Sequence, residues 1–332
     1  MEKTEFNKKQ VIKYLIWTFV LGWLVQAVLI HMYNEISPRN MSFQLLLTVA
    51  MFMPLAGVVL SGYDIKSIGW KPHIAGGAIF AAWILPYIFV AIGSCLCFWI
   101  FPELYEEHAS YTILNNMHDG IDMYKNTRDY SVTTGISDIY TFLPIQYYTK
   151  SNLPNFPPSY FNLAGCYDWH DKIRPFFEYF PIFSMFLAVG ETAGWTGFLC
   201  PQLKSRFGSK KGLIIGGCLY GVWHFPIITF TGYQYGFGYF GFPVTGLIVF
   251  CITSTAFLII CDWLYEKGEC IWIPTLFRGV LYVAGMSPLV HSKVYWDNAS
   301  LRLLGPLPTG LLSGVFFIAF AGELFLNLKN KS

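Results

Sequence analysis

Charge is scarce in this sequence. Of 332 residues, 22 are Lys or Arg and 20 are Asp or Glu, together 13%, whereas a soluble globular domain carries about 25%. Hydrophobic residues make up 54% and the mean hydropathy is +0.45, which excludes an ordinary soluble domain and reads as a membrane protein. The eight cysteines (Cys95, Cys97, Cys166, Cys200, Cys218, Cys251, Cys261 and Cys270) contain no CxxC pair and no metal-ligand spacing. Free thiols are therefore expected, without a disulfide framework or a metal site. Internal repeats, heptad runs and phosphate-cradling loops are also lacking. No basic patch of the nucleic-acid type is present, since topology and attraction to anionic lipid account for the basic loops.

What is present is a series of long apolar segments. About 20 apolar residues cross roughly 30 Å of hydrocarbon. Eight segments qualify, at about 11–30, 42–61, 74–100, 177–200, 212–231, 241–262, 270–290 and 304–328. The first has no small-residue cleavage site behind it and reads as a retained helix. Lys3, Lys8, Lys9, Lys13, Lys66, Lys71, Lys204, Arg206, Lys210, Lys211, Lys267, Lys329 and Lys331 fall on one side of the resulting topology. The opposite short loops hold only Arg39, Lys293 and Arg302. The positive-inside rule then puts both termini in the cytoplasm. The expected fold is all-α, a polytopic membrane bundle of about eight transmembrane helices. Residues 1–100 supply three of them and 177–332 the rest. Residues 101–176 form a polar, Tyr-rich extracytoplasmic insertion between helices 3 and 4, read as a cap or a mobile loop.

Four ionisable residues lie well inside the spans: Glu191, His224, Arg278 and Glu323. By helical rise the first three sit roughly 12–18 Å from the cytoplasmic face, in a similar layer. Glu323 is near enough to the inner end to snorkel and is left out of the site. Burial makes pairing among the other three the least costly arrangement. Two outcomes follow. Glu191 and His224 together hold and deprotonate a water, or serve as a proton relay. Alternatively, Glu191 is the counter-ion of Arg278, and His224 is a packed histidine bonded to a carbonyl. Glycines at 190, 194, 197, 212, 216, 217 and 221 allow close backbone approach around both residues.

The motifs that carry these residues, ETAGWTGFLCPQL and LYGVWHFP, resemble those of the CPBP family of CAAX proteases and bacteriocin-processing or immunity proteins, also called the Abi family. Glu191, Gly194, Trp195, Gly197 and Phe198 follow the first motif in register, and Tyr220 and His224 the second. In IWIPTLFRGVLYV, Arg278 takes the place of the third motif's histidine and Tyr282 that of its later asparagine or small residue. Thr192 replaces the family's second glutamate, and Thr196 an arginine. The resemblance implies a glutamate-type endopeptidase in a bacterial cell membrane, with Glu191 and His224 activating a water. Arg278 and Tyr282 would stand at the oxyanion, and Thr192, Trp195 and Tyr220 would line the substrate. It requires no metal, cofactor or covalent intermediate. Its substrate would be a membrane-associated or lipidated peptide. The alternative is a catalytically silent member that binds a peptide, a bacteriocin or a partner protein. A transporter is disfavoured by the missing repeats. His291, near the outer end of the seventh segment, is too far from the Glu191 layer to substitute for the missing histidine.

Overall fold

The computed structural model describes residues 5–35, 41–72, 75–102, 181–232, 234–284, 303 and 314–328, and the elements found there are all helical. In chain order they are α1 (Lys8–Glu35), α2 (Met41–Ser61), a 3₁₀ turn (Ile65–Ile68), α3 (Gly76–Ile100) and α4 (Pro181–Thr192). A π-helix (Ala193–Leu199) runs on into α5 (Cys200–Phe207). Then come α6 (Ser209–Trp223), α7 (Phe225–Thr231), α8 (Val244–Gly268), α9 (Trp272–Ala284) and α10 (Val315–Leu326). Four stretches are long and apolar enough to cross a membrane: Lys8–Tyr33, Gly76–Gly93, Ser209–Thr231 and Val244–Gly268. Leu45–Ser61 and Val315–Leu326 are shorter apolar helices. The insertion beyond residue 102, His291, and parts of the expected seventh and eighth spans lie outside the described residues.

Helix α1 shows the solvent for which the chain is built. Its buried positions, Val11, Tyr14, Thr18, Gly22, Gln26 and Leu29, recur at helical spacing and include the hydroxyl and amide side chains of its middle turns, Thr18 and Gln26. Ile12, Ile16, Val20, Leu24 and Val28 point outward. An apolar exterior around a more polar interior is the reverse of a water-soluble helix and is what a lipid-facing one needs. The same holds on α8, where Ile248 and Ile252 are exposed while Thr253, Ser254 and Asp262 are buried.

Small residues set the packing. A Cβ at Gly190 would stand 2.6 Å from the Met51 carbonyl oxygen, and one at Gly194 2.5 Å from Pro54 Cβ. The Glu191 segment therefore lies directly on α2. Gly217 and Gly221 similarly admit Thr255 and Cys251 of α8. The sequence reading expected these glycines to join the Glu191 and His224 segments to each other. Of the expected set, Gly212 and Gly216 do this, meeting Leu203, Lys204 and Cys200 of α5, which continues the Glu191 segment, whereas Gly190 and Gly194 dock on α2 and Gly217 and Gly221 on α8. Close approach depends on both surfaces, and glycine spacing on one helix does not name its partner. Helix α9, carrying Arg278, packs on α4 and α3 and brings the guanidinium to Glu191. Cys95, Cys200, Cys218, Cys251, Cys261 and Cys270 are free thiols.

Candidate functional site

Glu191 ends its stretch of regular α-helix within one residue. Thr192 is the last α residue, its hydroxyl donating 2.9 Å to the Ala188 carbonyl, and the wider π turn begins at Ala193. All seven π residues are buried. Turns of this kind concentrate at functional sites, because the extra residue per turn re-aims side chains out of helical register. Thr192 is thus occupied within its own helix, where the sequence reading had it lining the substrate.

His224 stands at a second interruption. Pro226 has no N–H to continue α6, so the helix stops at Trp223 and resumes at Phe225. The groups left over by the break are taken up by α1. The Trp223 carbonyl accepts from Gln26 Nε2 at 2.9 Å and from Trp23 Nε1 at 3.1 Å, while the Ile227 N–H donates to Gln26 Oε1 at 3.3 Å. Gln26 is buried and bridges both ends of the break. His224 Nδ1 lies 3.1 Å from the Tyr220 carbonyl. A carbonyl can only accept, so Nδ1 carries the proton, and in the neutral form of the ring Nε2 is the nitrogen with the lone pair. Tyr220, Trp223 and Phe250 surround the imidazole at centroid distances of 5.0, 4.7 and 5.0 Å.

Tyr220 is the hub. Its hydroxyl donates to Glu191 Oε2 at 2.8 Å, its carbonyl takes His224 Nδ1, and its ring lies 5.6 Å from the Arg278 guanidinium. Arg278 Nη2 forms a salt bridge to the same Glu191 Oε2. Phe257 at 5.3 Å and Tyr282 at 6.0 Å complete an aromatic surround for the cation. Glu191, His224 and Arg278 are 2%, 8% and 7% exposed. The three intramembrane residues singled out from sequence therefore gather around one tyrosine, which had been assigned to the substrate. Trp195 is fully buried against Tyr14, Tyr220 and Trp223.

Two contributors escaped the sequence reading. Gln26 gave no signal beyond a polar residue in mid-span. Asp262, also buried, lies at the last position of the sixth expected span. Its carboxylate is held by Lys204 Nζ at 2.8 and 2.7 Å, and the same ammonium reaches Glu266 Oε1 at 2.6 Å. The i, i+4 spacing of Asp262 and Glu266 was the available signal, since it places both on one helix face. No group of three or more His, Cys, Asp or Glu side chains among the described residues is arranged to hold a metal ion.

Residues 174–284 match the model of a family described as type II CAAX prenyl endopeptidase, Rce1-like. The matched stretch runs across α4, the π-helix and on to the end of α9, and so contains Glu191, Tyr220, His224 and Arg278. No curated protein matches the chain.

Proposed function

Because residues 174–284 belong to the CPBP family, in its Rce1-like branch, we propose that this membrane protein hydrolyses a peptide bond with a water held between Glu191 and His224. A CAAX-type intramembrane protease is the kind of function this family supports; the mechanism and substrate are our reading. The observation that carries it is the Tyr220 hub, which holds the carboxylate by its hydroxyl and the imidazole by its carbonyl. In this reading the water sits on Glu191 Oε1 and gives its proton toward the carboxylate or His224 Nε2 as its oxygen attacks the carbonyl. A positioned base of this kind contributes about 10²–10⁴-fold. On the same reading Arg278 supplies positive charge, and Tyr282 a donor, to the developing oxyanion. Thr192, turned into its own helix, plays no part, and Trp195 supports Tyr220 from behind. In this reading the substrate is a membrane-associated or lipidated peptide, and both termini are cytoplasmic, which the one-sided basic loops support.

One observation favours a second reading. Arg278 neutralises Glu191 directly, which is the arrangement expected of a silent family member that binds a peptide or partner without cutting it. Peptide termini in membrane and secreted fractions separate the two. Cells carrying wild type, Glu191→Gln and His224→Ala at matched protein levels are compared. Termini missing from both variants support the peptidase and identify its substrates. Identical termini in all three leave the binding reading.

A further inference from the structure

Behind Trp195 lies a feature that neither the family nor the peptidase reading assigns. Three buried polar atoms, two on α1 and one on the π-helix, have no hydrogen-bond partner among the described residues: Tyr14 Oη, Thr18 Oγ1 and Trp195 Nε1. Their residues are 0%, 0% and 1% exposed. Tyr14 and Thr18 stand one turn apart on α1. Thr18 is close enough to bear on Tyr14 Oη, yet the pair does not make a hydrogen bond. The Trp195 ring meets Tyr14 edge-on at 5.9 Å. Elsewhere in this neighbourhood polar groups are paired, as where Trp223 Nε1 donates 3.0 Å to the Thr18 carbonyl. Three orphaned groups on neighbouring residues of a buried interior each call for a partner.

We propose that these three atoms form a binding site for a resident water molecule. The donor inventory fits one. Trp195 Nε1 can only donate, whereas the two hydroxyls can each donate or accept. A water that accepts from Trp195 and from one hydroxyl, and donates to the other, satisfies all three and gains the three bonds a buried water usually makes. Gly57 of α2 lets the two helices close on this point, since a Cβ there would lie 2.1 Å from Thr18 Oγ1. The site stands without reference to catalysis. On the peptidase reading it gains a further role, as a store of the second substrate two aromatic rings, Trp195 and Tyr220, from Glu191. Trp195 lies between Tyr14 and Tyr220, at 5.9 and 5.2 Å, and Tyr220 holds the carboxylate.

X-ray radiolytic footprinting tests the site on the full chain in lipid nanodiscs, because hydroxyl radicals born from an ordered water oxidise the side chains touching it however deeply they are buried. Tyr235 and Phe317, both 0% exposed, are the comparators. Tyr14 and Trp195 are expected to be modified at least tenfold faster than either. In the Tyr14→Phe/Thr18→Val double variant, Trp195 should fall to the comparators' rate. Tyr14 and Trp195 labelled no faster than Tyr235 overturn the proposal, and so does Trp195 labelling that stays high in the variant. Labelling does not depend on turnover, so failure here leaves the peptidase reading untouched, and loss of the peptidase reading leaves the water site.

Discussion

Asp262 and Glu191 are both carboxylates buried to within 2% and both face a cation, but their surroundings differ in kind. Asp262 is gripped through both oxygens by Lys204, a flexible ammonium that also reaches Glu266 at the helix end. Burial alone would pull Lys204 down, but the charge of Asp262 and the bonds to both carboxylates more than reverse this, and its ammonium titrates above the ordinary lysine range. Such a cluster ties α5 to α8 and has no spare group with which to do chemistry. Glu191 instead receives two different donors on one oxygen, a hydroxyl and a guanidinium, with an imidazole fixed beside the same tyrosine. Burial and a salt bridge do not by themselves distinguish a strut from a site. The base and the unlike donors around the second carboxylate do.

The largest effect expected from breaking this comparison is on Glu191. Glu191→Gln should lower cleavage by about 10²–10⁴-fold. It also leaves Arg278 buried without its counter-ion, at about 3–5 kcal/mol, so the melting temperature should fall too. Glu191→Gln/Arg278→Gln should recover most of that stability while staying inactive. Asp262→Asn should invert the pattern, with cleavage near wild type per folded molecule and a lower melting temperature.

Tyr220→Phe sharpens the contrast. It keeps the ring and the carbonyl but removes one bond to a charged group, worth about 1.5–3 kcal/mol. A roughly 10–100-fold loss of turnover with an unchanged substrate KM is the expected reading; an equal fall in stability alone would make the hydroxyl a strut like Lys204. Gln26→Leu removes the clamp across the helix break and should lower turnover less, by loosening His224, with His224 NMR line shape as the check. The smallest effect is that of pH on Lys204. A group whose pKa rises on folding stabilises fully below its unfolded value, about 10.4, and loses that contribution as pH climbs through the folded one. Thermal melts of wild type and Lys204→Met should therefore differ by a constant amount through neutral pH and converge only in strong alkali.

The sequence made some of this legible for physical reasons. Ionisable residues are so disfavoured in hydrocarbon that Glu191, His224 and Arg278 stood out against their spans, and helical rise put them in one layer. Their arrangement was not legible. Tyr220 is an aromatic in a row of aromatics until its hydroxyl is seen on Glu191. Gln26 completes the His224 break from 197 residues away, and no local pattern encodes a partner at that separation. The glycines announced close packing without saying against what, because the complementary surfaces, Pro54 on α2 and Thr255 on α8, carry no signature of their own. The break at His224 was readable from Pro226, yet hydrophobicity over 212–231 masked it as one continuous span.

The central claim is that Glu191 acts on a water and does more than balance Arg278. It is tested most directly by the charge-matched variant Glu191→Gln/Arg278→Gln, expressed at wild-type abundance and checked for an unchanged melting temperature, with new peptide termini counted in membrane and secreted fractions. The account predicts that termini present with wild type are absent with the folded double variant. Termini that persist unchanged would contradict it, and would make Glu191 and Arg278 a buried strut of the same kind as Asp262 and Lys204.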